Sequence, residues 1–165
     1  MRTMLLCVAL TTISTSLVGQ VAQAPAANLV DVRTAAAIDA EAKILMNQAK
    51  NSPSGTAGVA LETYPGHLTM LTVRVKSGGA EIHAGFNDIF IVEDGQADVL
   101  TGGTVVDPKQ VSLGETRGSR VEGGTSHVIR KGDVIHISAN VPHQTTVAPG
   151  ETFTYYVIKV AVPQQ

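Results

Sequence analysis

Glu81 and His83 stand two residues apart in the run Ala80-Glu81-Ile82-His83, and a second carboxylate, Asp88, leads the apolar run Ile89-Phe90-Ile91-Val92. On a strand, a two-residue spacing turns both side chains to one face. The intervening break, Gly85-Phe86-Asn87, resets the alternation and lets Asp88 and Phe90 face inward on the next strand. Much later, His143 opens another strand after the bend Asn140-Val141-Pro142. If these residues meet, two imidazoles and two carboxylates converge on one point. Such a set suits Mn²⁺, Fe²⁺, Ni²⁺ or Zn²⁺ and does not select among them. Aspartate is one methylene shorter than glutamate, so Asp88 reaches an ion only if its strand moves inward, or it holds a metal-bound water. Without a metal, two neighbouring carboxylates would share a proton, and one would titrate late as an acid or base.

The elements that must position these residues are mostly strands. Leu71, Val73 and Val75 alternate with Thr72, Arg74 and Lys76, as on a strand with one buried and one wetter face. Short runs of the same kind recur at 80–83, 88–92, 96–100, 127–130, 134–137, 144–147 and 153–160. Turn signals separate them, at Asp94-Gly95, Lys131-Gly132-Asp133 and Pro149-Gly150. Many short strands with tight turns predict an all-β fold, an antiparallel double-sheet sandwich or barrel. One helix precedes them, over 35–50, with Thr34 as its cap and Ile38, Ala42, Leu45, Met46 and Ala49 as an apolar stripe to pack on the domain or on a partner. The segment 102–124 is glycine-rich and long for a bare loop. Its Arg117 and Arg120 read as solvated loop arginines, with contact to an anionic ligand as the alternative.

At this point two motifs carry a resemblance. Gly132-Asp133, Ile137, Pro142 and His143 resemble the second conserved motif of the cupins, in which glycine and aspartate start a hairpin and the histidine binds metal. The stretch ending in Asp88-Ile89-Phe90-Ile91-Val92-Glu93-Asp94-Gly95 resembles the first motif, two histidines one residue apart, four residues, a glutamate, then an apolar strand ending in glycine. His83 takes the second histidine position, Asp88 the glutamate position, and Glu81 falls where the first histidine is expected. The resemblance spans about Leu68 to Val160. It implies a jelly-roll barrel over 56–165 with a mouth lined by Glu81, His83, Asp88 and His143, Glu81 being the position to double as a base. It does not imply a reaction, because a shared fold does not transmit one.

Other residues read less sharply. His136 is expected at a strand rim or as partner to a metal ligand, His127 and His67 at the surface. Tyr155 and Tyr156 must take opposite faces of the last strand.

The bulk numbers bound the partners. The 165 residues suffice for one domain with a real core. The net charge is −2 without a basic run, which speaks against nucleic acid. Residues 1–24 read as a signal peptide: Arg2, an apolar stretch over 4–18, and small residues ending at Ala22-Gln23-Ala24. Residues 25–55 then form a tether and the helix. Cleavage removes Cys7, the single cysteine, so any metal must be held by histidine and carboxylate. The expected protein is exported, periplasmic or secreted, and free of the membrane after cleavage. It acts on or binds a small oxygen-rich metabolite, as a metal-dependent oxygenase, isomerase or lyase or as a non-catalytic sugar-like binding module. A structural barrel without metal, or a homodimer formed through edge strands, is the further alternative.

Overall fold

The computed structural model describes residues 30–163. The expected signal peptide at 1–24 and the start of the tether lie outside the described residues. No described helix is long and apolar enough to cross a membrane.

Helix α1 (Ala35–Asn51) begins where Thr34 accepts a hydrogen bond from the Ala37 backbone N–H at 3.2 Å, satisfying one orphan donor of the first turn. Its stripe buries Ile38, Leu45 and Ala49. They pack on Leu71 and Val73 of the sheet, so the helix closes one face of the domain.

The rest is strand. Strands β1 (Thr56–Tyr64) and β2 (His67–Arg74) form a hairpin, and β3 (Ala80–His83) follows. The long β4 (Phe86–Thr101) leads to the short β5 (Thr104–Val106), β6 (Lys109–Ser112), β7 (Glu115–Gly118) and β8 (Arg120–Glu122). Then come β9 (Thr125–Arg130), β10 (Val134–Ile137), β11 (His143–Thr146) and β12 (Phe153–Ala161). The main sheet runs β1-β2-β12-β4-β11-β3-β7-β6 with β9 and β10 also paired to β4; β5 and β8 pair separately. All pairings are antiparallel, and the sheet curls as a jelly roll. The interior core holds Phe90, Val92, Val99, Ile129, Phe153 and Val157 among others.

Two local expectations are corrected, and the glycine-rich segment 102–124 gains a structure. Asp94-Gly95 is a corner within β4 rather than a turn between two strands. The first half of β4 pairs with β10 and β12, the second half with β9 and β11. Gly95 has φ +77°, the register shifts beside it, and the chain of Thr152 crosses so close that a β-carbon there would stand 2.0 Å from its carbonyl oxygen. Only glycine permits that bend.

The segment 102–124 is not a bare loop. It folds into β5–β8, and β7 extends the sheet beyond β3. Finally, the polar face of β2 is not wet. Thr72 and Arg74 are buried because they line the barrel cavity while Leu71 and Val73 face the helix.

Candidate metal centre

Strand alternation does what the two-residue spacing predicts: Glu81 and His83 both line the barrel cavity. His143 reaches them from far along the chain because β11 pairs with β3, with His143 directly opposite Glu81. The bend before it is held by the Asn140 N–H donating to the His83 carbonyl at 2.9 Å, with Asn140 at φ +65°. Glu81, His83 and His143 each present a ligand atom, and these three atoms lie within 4.8 Å of one another. The two imidazole rings are 5.2 Å apart between centroids.

The hydrogen bonds around the rings orient them for ligation. His143 Nδ1 is 3.1 Å from the Val141 carbonyl, an acceptor, so it carries the proton. Its Nε2 then offers a lone pair. That atom is buried and has no hydrogen-bond partner, while the nearest charge is Glu81 Oε2 at 3.9 Å. A buried imidazole nitrogen left without a partner is costly unless something binds it. His83 repeats the arrangement, with Nδ1 2.6 Å from Glu115 Oε2 and Nε2 turned towards Glu81 Oε2 and Asp88 Oδ2, both at 3.4 Å. A carboxylate behind a ligating histidine fixes the ring and raises its basicity. The residues present therefore fit a divalent ion.

Glu81 divides its two oxygens. Oε1 accepts from Arg117 Nη1 at 2.6 Å and from Arg74 Nη2 at 3.5 Å, whereas Oε2 faces the histidines. Burial by itself would raise the Glu81 carboxyl, but the hydrogen bond with His83 and the charges of Arg117 and Arg74 outweigh it and hold it well below the usual carboxylate range. Glu81 is thus ionised and a poor base. For His83, burial disfavours the proton, yet the hydrogen bond to Glu81 and the charges of Asp88 and Glu115 prevail against Lys159 and raise it. The field that draws a proton to His83 is one that draws a cation. His143 is lowered by burial and stays neutral.

Asp88 is buried at the same mouth but stands outside the group of three. Lys159 holds both of its oxygens, at 2.6 and 2.9 Å. Each carboxylate has its own cationic partners, Lys159 for Asp88 and the two arginines for Glu81.

Four residues of the site escaped sequence reading in whole or part. Glu115 and Arg117 sit on β7 opposite His83 and Glu81. The register of a strand inside a glycine-rich segment is not written in its composition, and Arg117, though solvent-exposed, lies on a strand and not in a loop and is bonded to Glu81. Arg120 does stay exposed, paired with Glu122. Arg74 donates to the Tyr155 hydroxyl at 2.9 Å and to Thr56 at 3.1 Å. Lys159 did leave a signal: it falls on the inward face set by Tyr155 and Val157, a charge on an otherwise apolar alternation. Of the remaining histidines, His136 is exposed, His67 stacks on Tyr64, and His127 bonds Thr101 at 2.9 Å; none of them lines the cavity. Tyr155 faces the cavity and Tyr156 the helix.

No family model and no curated protein matches the sequence. Among solved structures, one from Thermus thermophilus superposes with a TM-score of 0.50 at 13% identity, covering 68% of this chain and 89% of that one. Oxalate oxidase gives 0.49 at 17% identity over 67% of this chain, and this chain spans only 53% of its length. A cupin-like protein from Thermotoga maritima gives 0.46 at 20% identity, covering 64% of this chain and 68% of that one. At such identities the likeness is one of fold. The fold is the antiparallel jelly roll.

Proposed function

We propose that this is an exported cupin-fold protein whose barrel holds one divalent transition-metal ion on Glu81, His83 and His143 and binds a small, anionic, oxygen-rich metabolite beside it. The observation that carries the reading is the buried, unpartnered Nε2 of His143, aimed into a group whose other members are also oriented from behind. Mn²⁺, Fe²⁺, Ni²⁺ and Zn²⁺ all accept two imidazoles and a carboxylate. When bound, the ion would supply Lewis acidity towards a carbonyl or carboxylate oxygen.

The cavity, of about 410 Å³, supports the ligand class. Its charged lining is balanced, with Arg74, Arg117 and Lys159 set against Glu81, Asp88 and Glu115. A divalent ion with neutral imidazoles leaves an excess of positive charge, and a partly desolvated site favours an anion that compensates it. Arg117, 44% exposed at the mouth, is placed to meet such a ligand on entry. Met70, Phe90 and Val157 supply apolar wall and limit water.

The test is metal content. Protein recovered from its native compartment, or refolded with metal, should carry close to one equivalent by mass spectrometry, and His143→Ala should carry none. A wild type that stays metal-free when the ions are supplied overturns the reading.

A second reading, a binding module without turnover, is favoured by one observation: the hydrogen bond with His83 and the charges of Arg117 and Arg74 hold the Glu81 carboxyl well below the usual carboxylate range, which makes it a weak general base. A small anion that raises the melting temperature of the loaded protein, followed by NMR over time, separates the two. Conversion of the anion points to an enzyme, and an unchanged anion to a module. Export is tested by sequencing the N-terminus of the mature chain.

A further inference from the structure

The two carboxylates beside His83 are held in different ways, and the difference bears on the metal site proposed above. Arginines bind Glu81 through Oε1 alone and leave Oε2 towards the histidines. Lys159 binds Asp88 through both oxygens. We propose that Lys159 is a positioning residue that withholds Asp88 from the ion, so that the ion has three protein ligands and keeps a further position for an exogenous oxygen ligand.

Three features make the restraint firm. Lys159 and Asp88 are direct cross-strand partners between β12 and β4, so the contact is set by register and not by chance side-chain reach. The pair is nearly dry, 14% and 4% exposed, and releasing Asp88 would strand a buried ammonium. The same ammonium lies 5.7 Å from the Phe86 ring centroid, a cation–π contact that holds it from another side. Asp88 Oδ2 is nevertheless only 3.4 Å from His83 Nε2, close enough to join the centre once freed.

The experiment titrates Co²⁺ into metal-stripped wild type, Asp88→Asn, Lys159→Met and the double variant, reading both affinity and the visible d–d spectrum. Asp88→Asn should leave the Co²⁺ spectrum unchanged, because its oxygens are already committed, and should weaken affinity only through the negative charge it removes. Lys159→Met should tighten binding by about tenfold or more and shift the spectrum as a new carboxylate enters. The double variant should return to wild-type values in both readouts, a coupling that independent effects would not produce. Lys159→Arg, which keeps the cation, should resemble wild type. The proposal is overturned if Asp88→Asn alone weakens binding and also shifts the spectrum, which would make it a ligand already. It is also overturned if the single variants have equal and opposite effects with an unchanged spectrum, the mark of a charge acting at a distance. Should Lys159→Met fail to fold, the Asp88→Asn arm still decides. Lack of Co²⁺ binding by wild type and His143→Ala alike is a different result, the failure of the metal reading itself, and it removes this proposal too.

Discussion

At the scale of single residues, the centre depends on what stands behind each ligand. Glu115 touches no ion in the proposed arrangement, yet it fixes the His83 ring through a 2.6 Å contact to Nδ1. Glu115→Gln should keep the fold and weaken metal affinity by about 10–100-fold, as loss of such a partner commonly does, measured by competition with a chelating dye. Glu81 gives a pH signature in the metal-free protein. Its carboxyl sits below the ordinary value of 4.5 in the folded state, so its stabilising contribution is present above about pH 5 and is lost as pH falls through and below 4.5. Urea unfolding with chelator present should therefore show wild type and Glu81→Gln furthest apart near pH 6, with the gap narrowing steadily as pH falls below 4.5. A gap independent of pH would sink this assignment. Glu81 and His83 were legible as candidates because their types and two-residue spacing are those of ligands on one strand face, and His143 because its motif resembles one whose histidine binds metal. Glu115 was not, because nothing in a Gly-rich stretch fixes which of its residues faces a strand more than thirty positions earlier.

At the scale of elements, β4 matters most. It contributes Asp88 near one end, pairs with β11 near the other, and so sets His143 relative to the rest of the site. Its corner at Gly95 is what allows one strand to serve both halves of the barrel. Gly95→Ala meets both a left-handed φ and the Thr152 carbonyl, and should cost at least about 1–3 kcal/mol of stability in chemical denaturation. A neutral outcome would mean that the corner is looser than its geometry. Sequence reading saw a turn here because Asp-Gly between two apolar runs is the ordinary hairpin signal. It could not see that the chain continues in the same direction, since a β-bulge and a two-residue turn ask for the same glycine. The helix was easier: a 3.6-residue stripe, a threonine cap and a terminating Asn-Ser-Pro are local signals and need no distant partner.

At the scale of the whole molecule, three hydrophobic clusters divide the work among the described residues. One, beneath α1, packs on the face of β2 opposite the cavity; a second wraps the barrel interior beside the site, and a small third joins Ala80, Val105 and Val121. Leu45 is 2% exposed and anchors the first. Leu45→Ala should lower stability by about 2–5 kcal/mol while leaving metal affinity of the folded protein unchanged, which combined denaturation and metal titration would show. Loss of metal affinity in that variant would mean the helix supports the site directly.

The sequence by itself determined the helix, the strand periodicity, the antiparallel all-β class and the residue types able to ligate a metal, because each of these is encoded in local spacing or in side-chain chemistry. Only the tertiary structure decided which partners those residues have. Strand register brings Glu115 behind His83, Arg74 and Arg117 onto one oxygen of Glu81, and Lys159 onto both oxygens of Asp88. Register is set by the pairing of segments far apart in the chain, and no single segment contains that information.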